Sequence, residues 1–177
     1  GGQKLDDLCL GAGDFSLFAN EKEGYLYIFY TMHSKSFVDG EKPKRENGVF
    51  VARAPIASNG LPGSWMKYCG GDFCEPGLLG KATCIFDAGC IPCVTYNTYL
   101  QQYIMTTFDS GYWQAGKGAL ILALSDDLVN WKEAAYMATS RSELANPYFT
   151  MLDAKGGDNL SVTGKSFRIF MESNGTD

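Results

Sequence analysis

Apolar positions fall into short runs separated by polar turns, and an apolar stripe at helical spacing is nearly absent. Residues 14–19 read as a first strand and 20–24 as a polar turn. Residues 25–32, aromatic and almost continuously apolar, read as a second strand buried on both faces. A long charged loop is expected over 34–47, then a third strand over 48–54 that Pro55 helps to end. The turn at 58–63 leads to a fourth strand over 65–68. Residues 1–13, rich in glycine, read as a lead-in.

The same order recurs. Strands are expected over 90–96, 99–108, 118–124 and 131–137, with a tight turn at Asn97-Thr98 and a loop over 109–117. Three landmarks align the two copies: Ile28 with Ile104, Gly48 with Gly118 and Trp65 with Trp131. Their spacings differ only by what the loops between them add or remove. A third copy starts with strands over 148–153 and 166–171, where Ile169 matches Ile104. The only helical signal is one short turn over 140–145. A four-stranded unit that recurs in this way predicts an all-β, β-propeller-like fold with four-stranded antiparallel blades. About two and a half blades are present, at about 14–68, 90–137 and 146–177, within a single domain spanning 1–177. A propeller needs about four or more blades to close. The remainder is therefore expected from the same or another chain, since a half-finished unit leaves a raw sheet edge.

Composition narrows the class. The 177 residues are 45% hydrophobic and 14% aromatic, enough for a packed core. The net charge is −5, with no basic stripe, which argues against a nucleic-acid partner. No apolar run reaches the roughly 18 residues that a membrane-spanning helix needs, so no membrane span is expected. The opening Gly1-Gly2-Gln3 reads as a mature or excised chain. Five of the six cysteines, Cys69, Cys74, Cys84, Cys90 and Cys93, crowd together in one stretch; the sixth is Cys9. Asn159-Leu160-Ser161 and Asn174-Gly175-Thr176 are N-glycosylation sequons. Together they favour a secreted, extracellular glycoprotein with at least one disulfide among those five cysteines. Buried free thiols and a zinc site on Cys90 and Cys93 are the alternatives, the latter lacking a second C-x-x-C at ribbon spacing. No metal or cofactor is expected.

Three motifs carry a resemblance. Ser125, Asp127, Leu128 and Trp131 fit an S-x-D-L-x-x-W hairpin. Glu75-Pro76-Gly77-Leu78-Leu79-Gly80-Lys81 is similar to an E-P-G-L-G-G-K/R loop, with Leu79 departing from it. Tyr96, Asn97, Leu100 and Tyr103 fit Y-N-x-x-L-x-x-Y. Over most of residues 14–172 the chain resembles the five-bladed β-propeller glycoside hydrolases of the arabinanase, xylosidase and fructosidase type. The resemblance implies hydrolysis of glycosidic bonds by paired carboxylates on the face where each blade's first strand starts and its second ends. That face would carry Asp14, His33, Asp109, Asn146 and Glu172. Asp14, Glu172 and Asp109 are the candidate acids and bases, standing roughly 6.5–9.5 Å apart if the reaction inverts. His33, Asn146, Tyr112 and Trp113 are candidates for binding the carbohydrate, the two aromatics by stacking on a sugar face. Plainer readings compete: Asp14 and Asp109 as turn residues, His33 as a structural histidine, Arg53 and Lys81 as ion-paired surface or strand-end residues. A non-catalytic propeller module that binds glycan or builds an extracellular assembly is the alternative function.

Overall fold

The computed structural model describes residues 9–36, 44–109, 117–140, 146–157 and 159–172, and these are all-β, with one short 3-10 turn at Ile56–Ser58. Sheet A is an antiparallel meander of β1 (Cys9–Asn20), β2 (Tyr25–Ser36), β3 (Lys44–Pro55), β4 (Met66–Cys69) and β5 (Asp72–Pro76). Sheet B contains β6 (Cys90–Asn97), β7 (Gln102–Phe108), β8 (Lys117–Ser125) and β9 (Lys132–Ser140). Sheet C pairs β10 (Asn146–Asp153) with β12 (Phe167–Glu172). Between those two, β11 (Val162–Thr163) leaves sheet C and pairs in parallel with the open edge of β6.

The expected four-stranded units are thus extended in two ways. No strand is expected between the fourth, over 65–68, and the next at 90, yet β5 adds a fifth strand to sheet A there. β11, absent from the expectation, is short and polar at its flanks, so its pairing comes from β6 and not from its own pattern. The charged segment at 34–47 is strand at both ends, with Ser36 opposite Lys44, and residues 9–13 belong to β1. The helical turn expected over 140–145 falls outside the described residues beyond Ser140, which ends β9.

Sheet B lies between the other two. Phe18, Tyr27, Phe29, Val49 and Val51 of sheet A meet Val94, Met105, Ile121 and Ala123 of sheet B in the main core. Trp131 closes it edge-on against Phe29, with ring centroids 6.1 Å apart. On sheet B's other face, Cys90, Phe108 and Leu120 pack with Phe149 of sheet C.

The repeat is visible in the backbone, one position away from where the isoleucine landmark puts it. Each first hairpin closes on an asparagine: Asn20 opposite Tyr25, and Asn97 opposite Gln102. In each turn the asparagine Oδ1 accepts a backbone N–H from the third residue on, Glu23 at 3.3 Å and Leu100 at 2.8 Å. Its carbonyl accepts from Gly24 and Gln101, both at positive φ. With Asn20 matched to Asn97, Ile28 corresponds to Met105, and Ile104 to Tyr27. A one-residue slip sends a strand side chain to the opposite face. On the asparagine match, Tyr27 and Phe29 point from sheet A toward B, while Ile104 and Thr106 point from B away from A. Trp65 and Trp131 do correspond, through the pairs Arg53–Met66 and Leu124–Lys132.

The Ser125–Trp131 hairpin joins β8 to β9 and is held by its own side chains. Ser125 Oγ accepts from the backbone N–H of Asp127 and of Leu128, and Trp131 Nε1 donates to the Leu128 carbonyl at 3.1 Å. Asp127 Oδ1 accepts from the backbone N–H of Val129 and Asn130, and Oδ2 from the Asn130 amide at 2.6 Å. Burial alone would raise the Asp127 pKa, but the Asn130, Val129 and Ser125 bonds outweigh it and hold the carboxyl below its usual range. A lowered folded-state pKa stabilises the fold above the unfolded carboxyl pKa of about 3.9, and that contribution is lost as pH falls through the folded value. Asp127→Ala is expected to cost about 1–2 kcal/mol at neutral pH, the worth of charge-assisted bonds at an exposed turn. Urea unfolding of both proteins should show the gap narrowing as pH falls below the unfolded carboxyl value; a gap independent of pH would contradict this account.

Candidate functional site

The starts of β1, β6 and β10 and the ends of β2, β7 and β12 gather at one end of the stacked sheets. Here each first strand carries an irregularity. One extra residue is inserted between Gly13 and Ser16 in β1, and another at the matching point of β6, between Cys90 and Cys93. A register shift also lies between Asn146 and Phe149 in β10. Asp14 (φ 50) and Ile91 (φ 56) occupy equivalent positions in the first two, both left-handed. Positive φ is uncommon outside glycine and costs free energy that the surroundings must supply. Such insertions re-aim side chains away from the ladder.

The Asp14 carboxylate is reached across the molecule by Tyr148 of sheet C, whose hydroxyl donates to Oδ1 at 2.9 Å. Asp109 follows the end of β7, tied by its N–H to the Ala119 carbonyl at 3.0 Å. Its Oδ2 accepts from the Tyr136 hydroxyl of β9 at 2.9 Å. Cys90, at the start of β6, is buried. Burial pushes its thiol up to about 12, and the negative charges of Asp14 and Asp109 both add to the rise. Tyr148 and Tyr136 are 54% and 38% exposed, so the site opens to solvent between aromatic rings.

Of the residues expected here, Asp14 and Asp109 each accept a tyrosine hydroxyl, from Tyr148 and Tyr136, and each adds to the raised pKa of Cys90. The backbones of Asn146 and Glu172 pair with each other at the same end, and that of His33 pairs with Asn47 near the end of β2. Tyr112 and Trp113 lie outside the described residues. Tyr148, Tyr136 and Cys90 join the site without a sequence signal. Cys90 and Tyr148 read only as strand starts and Tyr136 as a strand residue; Tyr136 meets Asp109 within sheet B, and the packing of sheet C brings Tyr148 to Asp14. Among the described residues, no three His, Cys, Asp or Glu side chains converge as a metal site would require.

The other motifs are structural. In the 75–81 loop, a Cβ on Gly77 would lie 2.8 Å from the Trp65 Cβ, and one on Gly80 would strike the Pro76 carbonyl, so both positions require glycine. The Lys81 N–H donates to Glu75 Oε2 at 3.2 Å, closing the loop. Tyr96 and Tyr103 are a cross-strand aromatic pair beside the Asn97 turn, with centroids 5.2 Å apart. Arg53, expected as an ion-paired residue, instead has its guanidinium 4.2 Å from the centroids of both Tyr25 and Phe73, a cation–π arrangement.

The expected disulfide is not formed: Cys69, Cys74, Cys84, Cys90 and Cys93 are free thiols. Cys74 lies beside Cys69 on the paired strands β4 and β5, while Cys84 and Cys90 lie elsewhere. Cys90 enters the core between sheets B and C, Cys84 contacts the Val49 carbonyl, and Cys74 contacts that of Cys69. With an alkylating reagent at about pH 8, exposed Cys74 should label early and Cys90 only on unfolding, because the thiolate is the reactive form. Peptide mass mapping over time checks this order; early labelling of Cys90 would contradict its burial.

No known protein family matches the chain, and no curated protein matches it. Among the described residues, no helix is long and apolar enough to cross a membrane.

Proposed function

We propose that this chain is part of a secreted, propeller-type carbohydrate-active protein that hydrolyses glycosidic bonds with paired carboxylates, Asp14 and Asp109 among them. The observation that carries the reading is that each acid is held by a partly exposed tyrosine hydroxyl, Asp14 by Tyr148 and Asp109 by Tyr136. Asp14, displaced by the extra residue in its strand, serves as one of the acid–base pair. Asp109 or Glu172 serves as the other. The exposed rings of Tyr148 and Tyr136 offer apolar faces on which a sugar can stack.

Two features support the propeller. The match of Asn20 with Asn97 relates sheets A and B as successive copies turned in one direction, as blades are. The face of sheet A turned away from B is also apolar and open. Phe15, Ile28, Tyr30, Ala52, Trp65 and Leu78 line a groove of about 580 Å³ there. Its counterpart on sheet B, which includes Met105, is buried under sheet A. A further blade on sheet A would complete the series.

Hydrolysis of aryl glycosides and plant or microbial polysaccharides by the protein, compared with Asp14→Asn and Asp109→Asn, tests the reading. A glycan-binding module is the second reading, favoured by the tyrosine hydroxyls that already occupy one oxygen of each carboxylate. Glycan binding without hydrolysis, unchanged in both variants, would favour that module.

A further inference from the structure

The turn entering β11 contains Asn159-Leu160-Ser161, an acceptor sequence for N-linked glycan. Such a sequence can be used only where the finished fold leaves room for a sugar. Asn159 is exposed, and Leu160 beside it is 70% exposed. The Asn159 side-chain oxygen accepts the Ser161 N–H at 2.9 Å, and its carbonyl accepts the Val162 N–H at 3.2 Å. With the oxygen turned back onto the chain, the planar amide directs Nδ2 outward. The turn itself is anchored, since the Ser161 carbonyl accepts from the Tyr96 N–H at 2.8 Å and β11 continues along β6. Beside Asn159 lies an open groove of about 400 Å³, bounded by Leu152, Lys155, Arg168 and Phe170.

The position also keeps a glycan clear of the carboxylates. Residues 159–163 meet β6 at Tyr96 and Asn97, whereas Asp14 acts on Cys90 at the strand's other end. The seven steps from Cys90 to Asn97 span about 23 Å at about 3.3 Å per residue.

We propose that Asn159 is an N-glycosylation site of this protein. The donor class is a lipid diphosphate-linked oligosaccharide. The Asn159 Nδ2 attacks the anomeric carbon and loses a proton, the new N–C bond forms as the C–O bond to diphosphate breaks, and the lipid diphosphate leaves. The inference rests on the secretion in the proposed function and not on any hydrolase activity.

The test is secretion of the full chain from a eukaryotic host behind a cleavable signal, for wild type, Ser161→Thr and Ser161→Ala. Enzymatic glycan release in ¹⁸O-water converts an occupied asparagine to labelled aspartate, which peptide mapping locates. Label at position 159 is expected in wild type and Ser161→Thr, falling to background in Ser161→Ala. The second sequon, at Asn174, reports in the same digest. An unlabelled Asn159 in secreted wild-type protein overturns the proposal, whatever the state of Asn174. That result needs no variant to fold.

Discussion

Replacing Phe29 by alanine is expected to destabilise the protein by about 3–5 kcal/mol, the usual range for emptying a buried phenylalanine site. Phe29 is fully buried at the centre of the A–B core. It stacks on Tyr27 and meets the Trp131 ring edge-on, so both aromatic contacts would be lost to one cavity. The surrounding strands are fixed by their ladders on both sides, which leaves little room to collapse into the space. Against a typical total of about 5–15 kcal/mol, such a loss should shift the urea midpoint strongly or unfold the chain outright. Phe15 supplies the contrast. It is 68% exposed on the open face of sheet A, and Phe15→Ala should change stability by no more than about 0.5 kcal/mol. Equal effects at the two positions would mean that sheets A and B do not pack through this face.

For the chemistry, the largest effect is expected at Asp14. If the protein cleaves a glycan, Asp14→Asn should lower kcat by about 10²–10⁴, the usual contribution of a positioned acid or base, with KM little changed. The amide is the informative substitution for a backbone reason. Asp14 sits at φ 50, which asparagine tolerates better than most residues, so the extra residue in β1 keeps its shape. The amide oxygen can still accept the Tyr148 hydroxyl, and only the ionisable group is removed. Wild-type kcat in Asp14→Asn would exclude Asp14 from the reaction. Loss of binding together with rate would instead assign it to holding the ligand.

Much of this architecture is local and could be read from the chain. Polar turns between apolar runs mark most of the strands, because a strand's pattern and a turn's chemistry are both short-range. The Ser125–Trp131 hairpin is legible for the same reason: its side chains bond to neighbours a few positions along the chain. The position of Asp109 after β7 also follows from strand order alone, whereas Asp14, expected to begin its strand, lies inside β1 at the extra residue. The true match between the two copies does not. Ile28 and Ile104 look alike, yet β-strands alternate faces at every residue, and only the hairpin register shows that Ile28 corresponds to Met105. The role of Arg53 depends on where Tyr25 and Phe73 lie across sheet A, and the free state of the cysteines on which way each sulfur points.

An all-β chain and the turns that delimit most of its strands are legible in the amino-acid order, because each depends on residues close together along the chain. It took the packed fold to bring Tyr148 to Asp14 from 134 positions away and to send β11 from its own sheet to β6. Those contacts exist only once three sheets have stacked, and no local pattern encodes the stacking.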